Sequence, residues 1–263
     1  MSIKNLPIFW LLLAIILLVV ISIEVGYMIG GAIRKRREVE SESTVSSISG
    51  YILALLAFMV AFTFSIVTDR YQVRKGLVIE EANLIRTAWT RADFLPDSDL
   101  IVAKALIRDY TVLRLTAVQS SDVSKIKTAI QQSSAIEKQL WEMALVNAQK
   151  DMNSDVAALY IESLNDVANI NASRIVVGLH SRIPEGIWQV LVLLILMAMF
   201  SVGYQTAITG SKRSWAVLLM ALSFSLVIVM IEALDRPKTN FIPVSQYPLE
   251  FLLSTLNTES PSK

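Results

Sequence analysis

SGYILALLAFMVAFTFSIVT, residues 49–68, runs without a break into DRYQVRKGLVIEEANLIRTAWTRADFLP, residues 69–96, and this join decides the fold. The first part carries no charged side chain and has the length, about 20 mostly apolar residues, that a bilayer-crossing helix needs. The second part is rich in charge, yet between Gly50 and Phe94 there is no proline and only one internal glycine, Gly76. Nothing there stops a helix. One continuous helix of about 45 residues, roughly 68 Å at 1.5 Å per residue, is predicted to leave the membrane and continue into water.

Three further stretches have the length and apolarity of spans: residues 8–33, 187–208 and 215–234. In the first, the basic cluster Arg34, Lys35, Arg36 and Arg37 follows the apolar core instead of preceding it, which predicts a retained anchor and not a cleaved leader. Trp10, Trp188 and Trp215 stand near predicted span ends, where an amphipathic ring sits at the headgroup layer. The whole chain agrees with a bilayer as solvent: 263 residues, 54% hydrophobic, 18% charged, with a mean hydropathy of +0.53. A net charge of +1 speaks against nucleic acid as a partner, and the absence of cysteine removes disulfides, thiolate metal sites and thiol nucleophiles.

Lys and Arg in short loops tend to stay cytoplasmic. Arg34 to Arg37 and the pair Lys212 and Arg213 fall on the same side of the four spans. This places the N-terminus and the long segment between the second and third spans outside the cytoplasm. Arg70, Arg74, Lys75, Arg174 and Arg182 lie near the membrane ends of that segment and weigh the other way.

From residue 69 to 183 charges of both signs are spread throughout. Pro96 ends the long helix, and Asp97, Ser98 and Asp99 provide capping groups and negative charge for the next. Ala103, Leu106, Tyr110, Leu113 and Ala117 then recur at spacings of three and four. Further stripes follow through Ile126, Ile130, Ile136, Leu140 and Met143, and through Val156, Tyr160, Ser163, Val167, Ile170 and Val177. Amphipathic helices joined by short turns predict an antiparallel bundle inserted between the second and third spans. Pro184 marks the return to the membrane, and residues 236–263 are set apart as a C-terminal tail. The fold class is all-α.

The sequence shows no nucleophile paired with a base, no phosphate-cradling glycine loop and no cluster of metal ligands; its one histidine is His180. An enzyme, a metal centre or a bound cofactor is therefore not expected. Asn171-Ala172-Ser173 matches a glycosylation sequon, a motif too short to carry weight alone. Ionisable groups in apolar spans are costly and often functional, which singles out Glu24 and Glu232, although each lies near a span end where it can reach headgroups or a basic neighbour. In the second span Phe58, Phe62, Ser65 and Asp69 share a helical face with Thr63 beside them, a candidate pore lining for which helix packing is the plain alternative. Arg70, Arg74 and the adjacent acids Glu80 and Glu81 follow as candidate mouth or selectivity residues: Arg70 and Arg74 with Lys75 would favour anions, and Asp69 with Glu80 and Glu81 would favour cations.

The runs Ala61-Phe62-Thr63-Phe64-Ser65, Asp69-Arg70-Tyr71, Glu80-Glu81-Ala82-Asn83 and Arg91-Ala92-Asp93-Phe94-Leu95-Pro96 resemble the bestrophin-like membrane proteins. The resemblance returns at Leu234-Asp235-Arg236-Pro237, Val244-Ser245 and Pro248-Leu249 and covers nearly the whole chain. It implies likeness to bestrophins, oligomeric anion channels with four spans and helical extramembrane parts held in the cytoplasm. The acidic calcium clasp of bestrophins has no counterpart here. The expected function is a homo-oligomeric pore in the lipid bilayer for small inorganic ions of undecided sign. The alternative is a membrane-anchored helical module that senses or recruits a partner and transports nothing; a secondary transporter fits less well, because no matching pair of broken helices is present.

Overall fold

In the computed structural model, residues 7–36, 41–120, 122–211, 215–236 and 241–259 are described; Arg37, Lys212, Arg213 and Pro237 lie outside them, as does the side chain of His180. The described residues form eight α-helices and no strand. These are α1 (Ile8–Lys35), α2 (Glu42–Arg91), α3 (Asp97–Gln119), α4 (Val123–Ala148), α5 (Asp155–His180), α6 (Glu185–Ile208), α7 (Trp215–Asp235) and α8 (Tyr247–Glu259). A short 3-10 turn, Ala92–Phe94, closes α2 ahead of Pro96. Pro96 and Pro184 stand at the N-caps of α3 and α6, where a missing N–H costs nothing. Asp122 and Ser154 cap α4 and α5 by accepting the N–H groups of Ser124 (2.8 Å) and Ala157 (3.2 Å).

The chain divides into two compact units. The first comprises residues up to Tyr71 and Arg182–Pro243; the second comprises Gln72–Ser181 with the segment from Val244 onward. Among the described residues, α1, α2, α6 and α7 are the four helices with spans long and apolar enough to cross a membrane. Their large side chains are exposed on the outer faces, as on α1 at Trp10, Leu17, Ile21 and Met28, which suits hydrocarbon as the surrounding medium.

Helices in a bilayer gain little by excluding water from each other, so they associate through close contact of small residues and a few hydrogen bonds. α1 and α6 do this closely. A methyl group built on Gly26 would overlap the carbonyl of Phe200, and one on Gly203 would overlap the carbonyl of Ile23. Ser22 Oγ donates to the Leu196 carbonyl at 2.7 Å, and the hydroxyls of Ser49 and Ser201 meet at 2.6 Å, tying α1 and α2 to α6. Gly31, on the same helix as Gly26, has open space around its Cα. Gly26→Leu is therefore expected to destabilise the membrane unit by about 1–3 kcal/mol or more, while Gly31→Leu is tolerated; thermal unfolding of the two purified variants side by side checks this.

The second unit packs the end of α2 with α3, α4, α5 and α8 around one apolar core that includes Ile85, Trp89, Ile107, Tyr110, Leu140, Tyr160 and Leu164. The sequence reading set residues 236–263 apart as a tail, and here the structure corrects it. Leu249, Leu252 and Leu256 of α8 are buried in this core, because their spacing of three and four gives α8 one apolar face.

Candidate functional site

On α2 within the membrane unit, Tyr51, Leu55, Phe58, Phe62, Ser65 and Asp69 follow one another at alternating steps of four and three. All six are exposed, Phe58 by 66% and Phe62 by 52%. The rings of Phe58 and Phe62 lie nearly parallel, 12° apart, with centroids at 6.5 Å. The other side of the helix faces the unit's interior through Leu56 and Val67. Thr63 belongs to that interior side. It is fully buried and its hydroxyl donates to the Met59 carbonyl at 2.7 Å, so it does not share the face of Phe58, Phe62, Ser65 and Asp69. A step of one residue turns a helix by about 100°, and that moves Thr63 away from Phe62.

The charges after the span separate in the same way. Arg70 reaches Asp235 at 4.0 Å, and Asp235, itself buried, accepts the backbone N–H of Ile183 at 2.9 Å. Arg70 is thus tied to the end of α7. In the second unit Arg74 is buried, whereas Glu80 is exposed. Glu81 is fully buried, which corrects its place among residues open to an ion path. Its carboxylate accepts Arg114 Nε at 2.7 Å and is ion-paired with Arg174, whose other nitrogen donates to Gln246 on the segment leading into α8. Burial pushes the Arg174 guanidinium down to about 10 and that of Arg114 downward too. Glu81 is the anion that makes the burial of both guanidinium groups tolerable.

Beside them Tyr110 donates to Glu137 Oε1 at 3.0 Å and Asn171 donates to the same oxygen at 2.7 Å. Burial holds the Glu137 carboxyl above its ordinary range and the Tyr110 hydroxyl far above its own. Asn171 is buried here, which leaves the sequon around it without an accessible amide. Glu24 lines a small cavity of about 360 Å³ with Tyr27, Thr206 and Trp215, and Glu232 pairs with Arg236 one turn on at 2.7 Å. Among the described residues no group of three His, Cys, Asp or Glu is placed to hold a metal ion.

The sequence reading missed Tyr51 and Leu55, although the 51, 55, 58, 62, 65, 69 spacing was there to extend the face upward. It also missed Arg114 and Glu137, and placed Arg174 only among the basic residues near the membrane ends. Tyr110 and Arg114, four apart on a helix whose apolar side was already drawn, were the signal for a buried charge.

A family model described as a bestrophin-like domain matches residues 12–249. The chain belongs to the bestrophin-like family. No protein of curated function matches it. Among solved structures, this bestrophin-like chain is similar to bacterial bestrophin homologues from Klebsiella pneumoniae. A single-site variant of that homologue has a TM-score of 0.66 at 12% identity, covering 96% of this chain and 98% of the other. Another of its structures, phased with zinc, has a TM-score of 0.56 at 15% identity over 97% and 100%. A further structure described as a membrane protein has a TM-score of 0.60 at 13% identity over 97% and 99%. At such identities the likeness is one of fold: an all-α bestrophin-like protein embedded in the membrane.

Proposed function

We propose that copies of this bestrophin-like protein assemble around a common axis with α2 of each copy facing inward, forming a pore for small inorganic ions with a preference for cations. The observation that carries this reading is the uncovered face of Phe58, Phe62, Ser65 and Asp69. A carboxylate turned toward hydrocarbon costs about 2.5–3.5 kcal/mol at the centre of a span and less near its end. A helix face that puts Asp69 and Ser65 in line with two aromatic rings is therefore better matched to a narrow, partly wetted path than to lipid. Phe58 and Phe62 form an apolar constriction in this arrangement, and Asp69 forms a ring of negative charge at its end. Arg70 is tied to Asp235, so the charge that the membrane unit leaves on this face is that of Asp69.

The native chain contains no cysteine, so single cysteines can be placed without background. Phe62→Cys and Ser65→Cys are expected to react with a charged, water-soluble thiol reagent and to lose ion flux on reaction, whereas Thr63→Cys and Val67→Cys stay protected. Labelling that ignores this order, or labelling without loss of flux, would contradict the placement of the pore.

A further inference from the structure

The helical unit contains a cavity of about 310 Å³, at the lower end of the roughly 300–1,000 Å³ typical of small-molecule sites. Its floor is apolar, formed by Ile85, Ile107, Leu140 and Leu164, all buried. Trp141, partly exposed, stands in its wall. One carboxylate, Glu137, opens into it.

That carboxylate is prepared on one side only. Tyr110 and Asn171 both donate to Oε1, at 3.0 and 2.7 Å, and fix the plane of the group. Oε2 has no hydrogen-bond partner among the described residues. The cation nearest in charge effect, Arg114, is engaged by Glu81 at 2.7 Å and so does not complete the pair. Lys138 at the rim is 77% exposed on its side chain and lies 3.7 Å from Glu142, directed to solvent. An oriented acceptor in a pocket with apolar and aromatic walls asks for a donor carrying positive charge on an apolar body.

We infer that this cavity is a binding site for a small organic amine, with the ammonium group on Glu137 Oε2 beside the rings of Tyr110 and Trp141 and the apolar body on the Ile107 and Leu164 floor. Nothing in the pore reading requires this site, and its test is separate from ion flux.

The full chain, purified in detergent, is titrated with phenethylamine, and with phenethyl alcohol and 3-phenylpropanoate as neutral and anionic counterparts of similar shape. The signal is the part of the tryptophan fluorescence change that disappears in Trp141→Phe, checked by calorimetry. The amine is expected to bind saturably and at least about tenfold more tightly than either counterpart, the scale of a lost charge-assisted hydrogen bond. Glu137→Gln keeps an acceptor for Tyr110 and Asn171 and is expected to lose about tenfold or more in amine affinity. Ala168→Phe, which fills the cavity and leaves Glu137 in place, is expected to abolish binding. Equal affinity for amine and alcohol, preference for the acid, undiminished affinity in folded Glu137→Gln, or no saturable binding of the amine would each overturn the assignment.

Discussion

Glu81→Ala is expected to loosen the helical unit more than any other single truncation of a charged side chain in it. Glu81 is the common partner of Arg114 and Arg174, and all three side chains are almost wholly withdrawn from water. Removing one member of a buried pair typically costs about 3–5 kcal/mol, because the partner is left charged in a medium that solvates it poorly. Here two guanidinium groups, both already held below their ordinary range by burial, would be stranded without their shared counter-ion. Glu81→Gln retains an acceptor and should fall between wild type and Ala. Because Arg174 also holds Gln246, the loss should spread to α8. Hydrogen exchange across residues 72–181 and along α8 measures this: protection should drop in both in Glu81→Ala. Protection equal to that of wild type would mean that the cluster contributes little. By contrast, Arg86→Ala breaks only the exposed pair with Glu259 and should cost no more than about 1 kcal/mol.

The second large effect concerns conduction. Asp69→Lys reverses the charge exposed at the end of the proposed pore face, a change of two charge units in every copy. Reversal potential under a potassium chloride gradient should move from the potassium side toward the chloride side, because the ring that concentrated cations would repel them. Phe62→Ala should act on magnitude instead of sign. Removing a ring from the stacked Phe58 and Phe62 pair opens the constriction, and unitary conductance should rise by about twofold or more if this is the narrowest point. Thr63→Ala, buried against the membrane unit, should leave both quantities unchanged. If Asp69→Lys leaves selectivity as it was in a folded protein, Asp69 does not face the ion path.

Much of the fold was legible because span signals are local. The run 49–68 and its charged continuation predicted one long helix, and α2 is that helix; the predicted spans 8–33, 187–208 and 215–234 fall on α1, α6 and α7. A family resemblance on scattered motifs such as Asp69-Arg70-Tyr71 and Leu234-Asp235-Arg236 also pointed correctly, and two of those residues, Arg70 and Asp235, prove to be neighbours in space.

What the sequence hid was direction around the helix. Glu80 and Glu81 look like one polar patch, yet one is exposed and the other is buried with two arginines. Phe62 and Thr63 part in the same way. Neighbouring residues point about 100° apart, so roles are assigned by which helix packs on which side, and that is tertiary information. Gly26 and Gly203 were similarly silent, since a glycine in a membrane helix says nothing of its partner until the opposite backbone is in place. The α8 leucines offered a periodic stripe but not the surface that it covers.

The most direct measurement is recording from purified, folded protein in planar bilayers with potassium and chloride gradients imposed separately. Discrete unitary currents that reverse near the potassium potential, and that shift toward chloride in Asp69→Lys, are the predicted result. Reproducible silence, or currents untouched by changes at Phe62 and Asp69, would contradict a pore lined by α2.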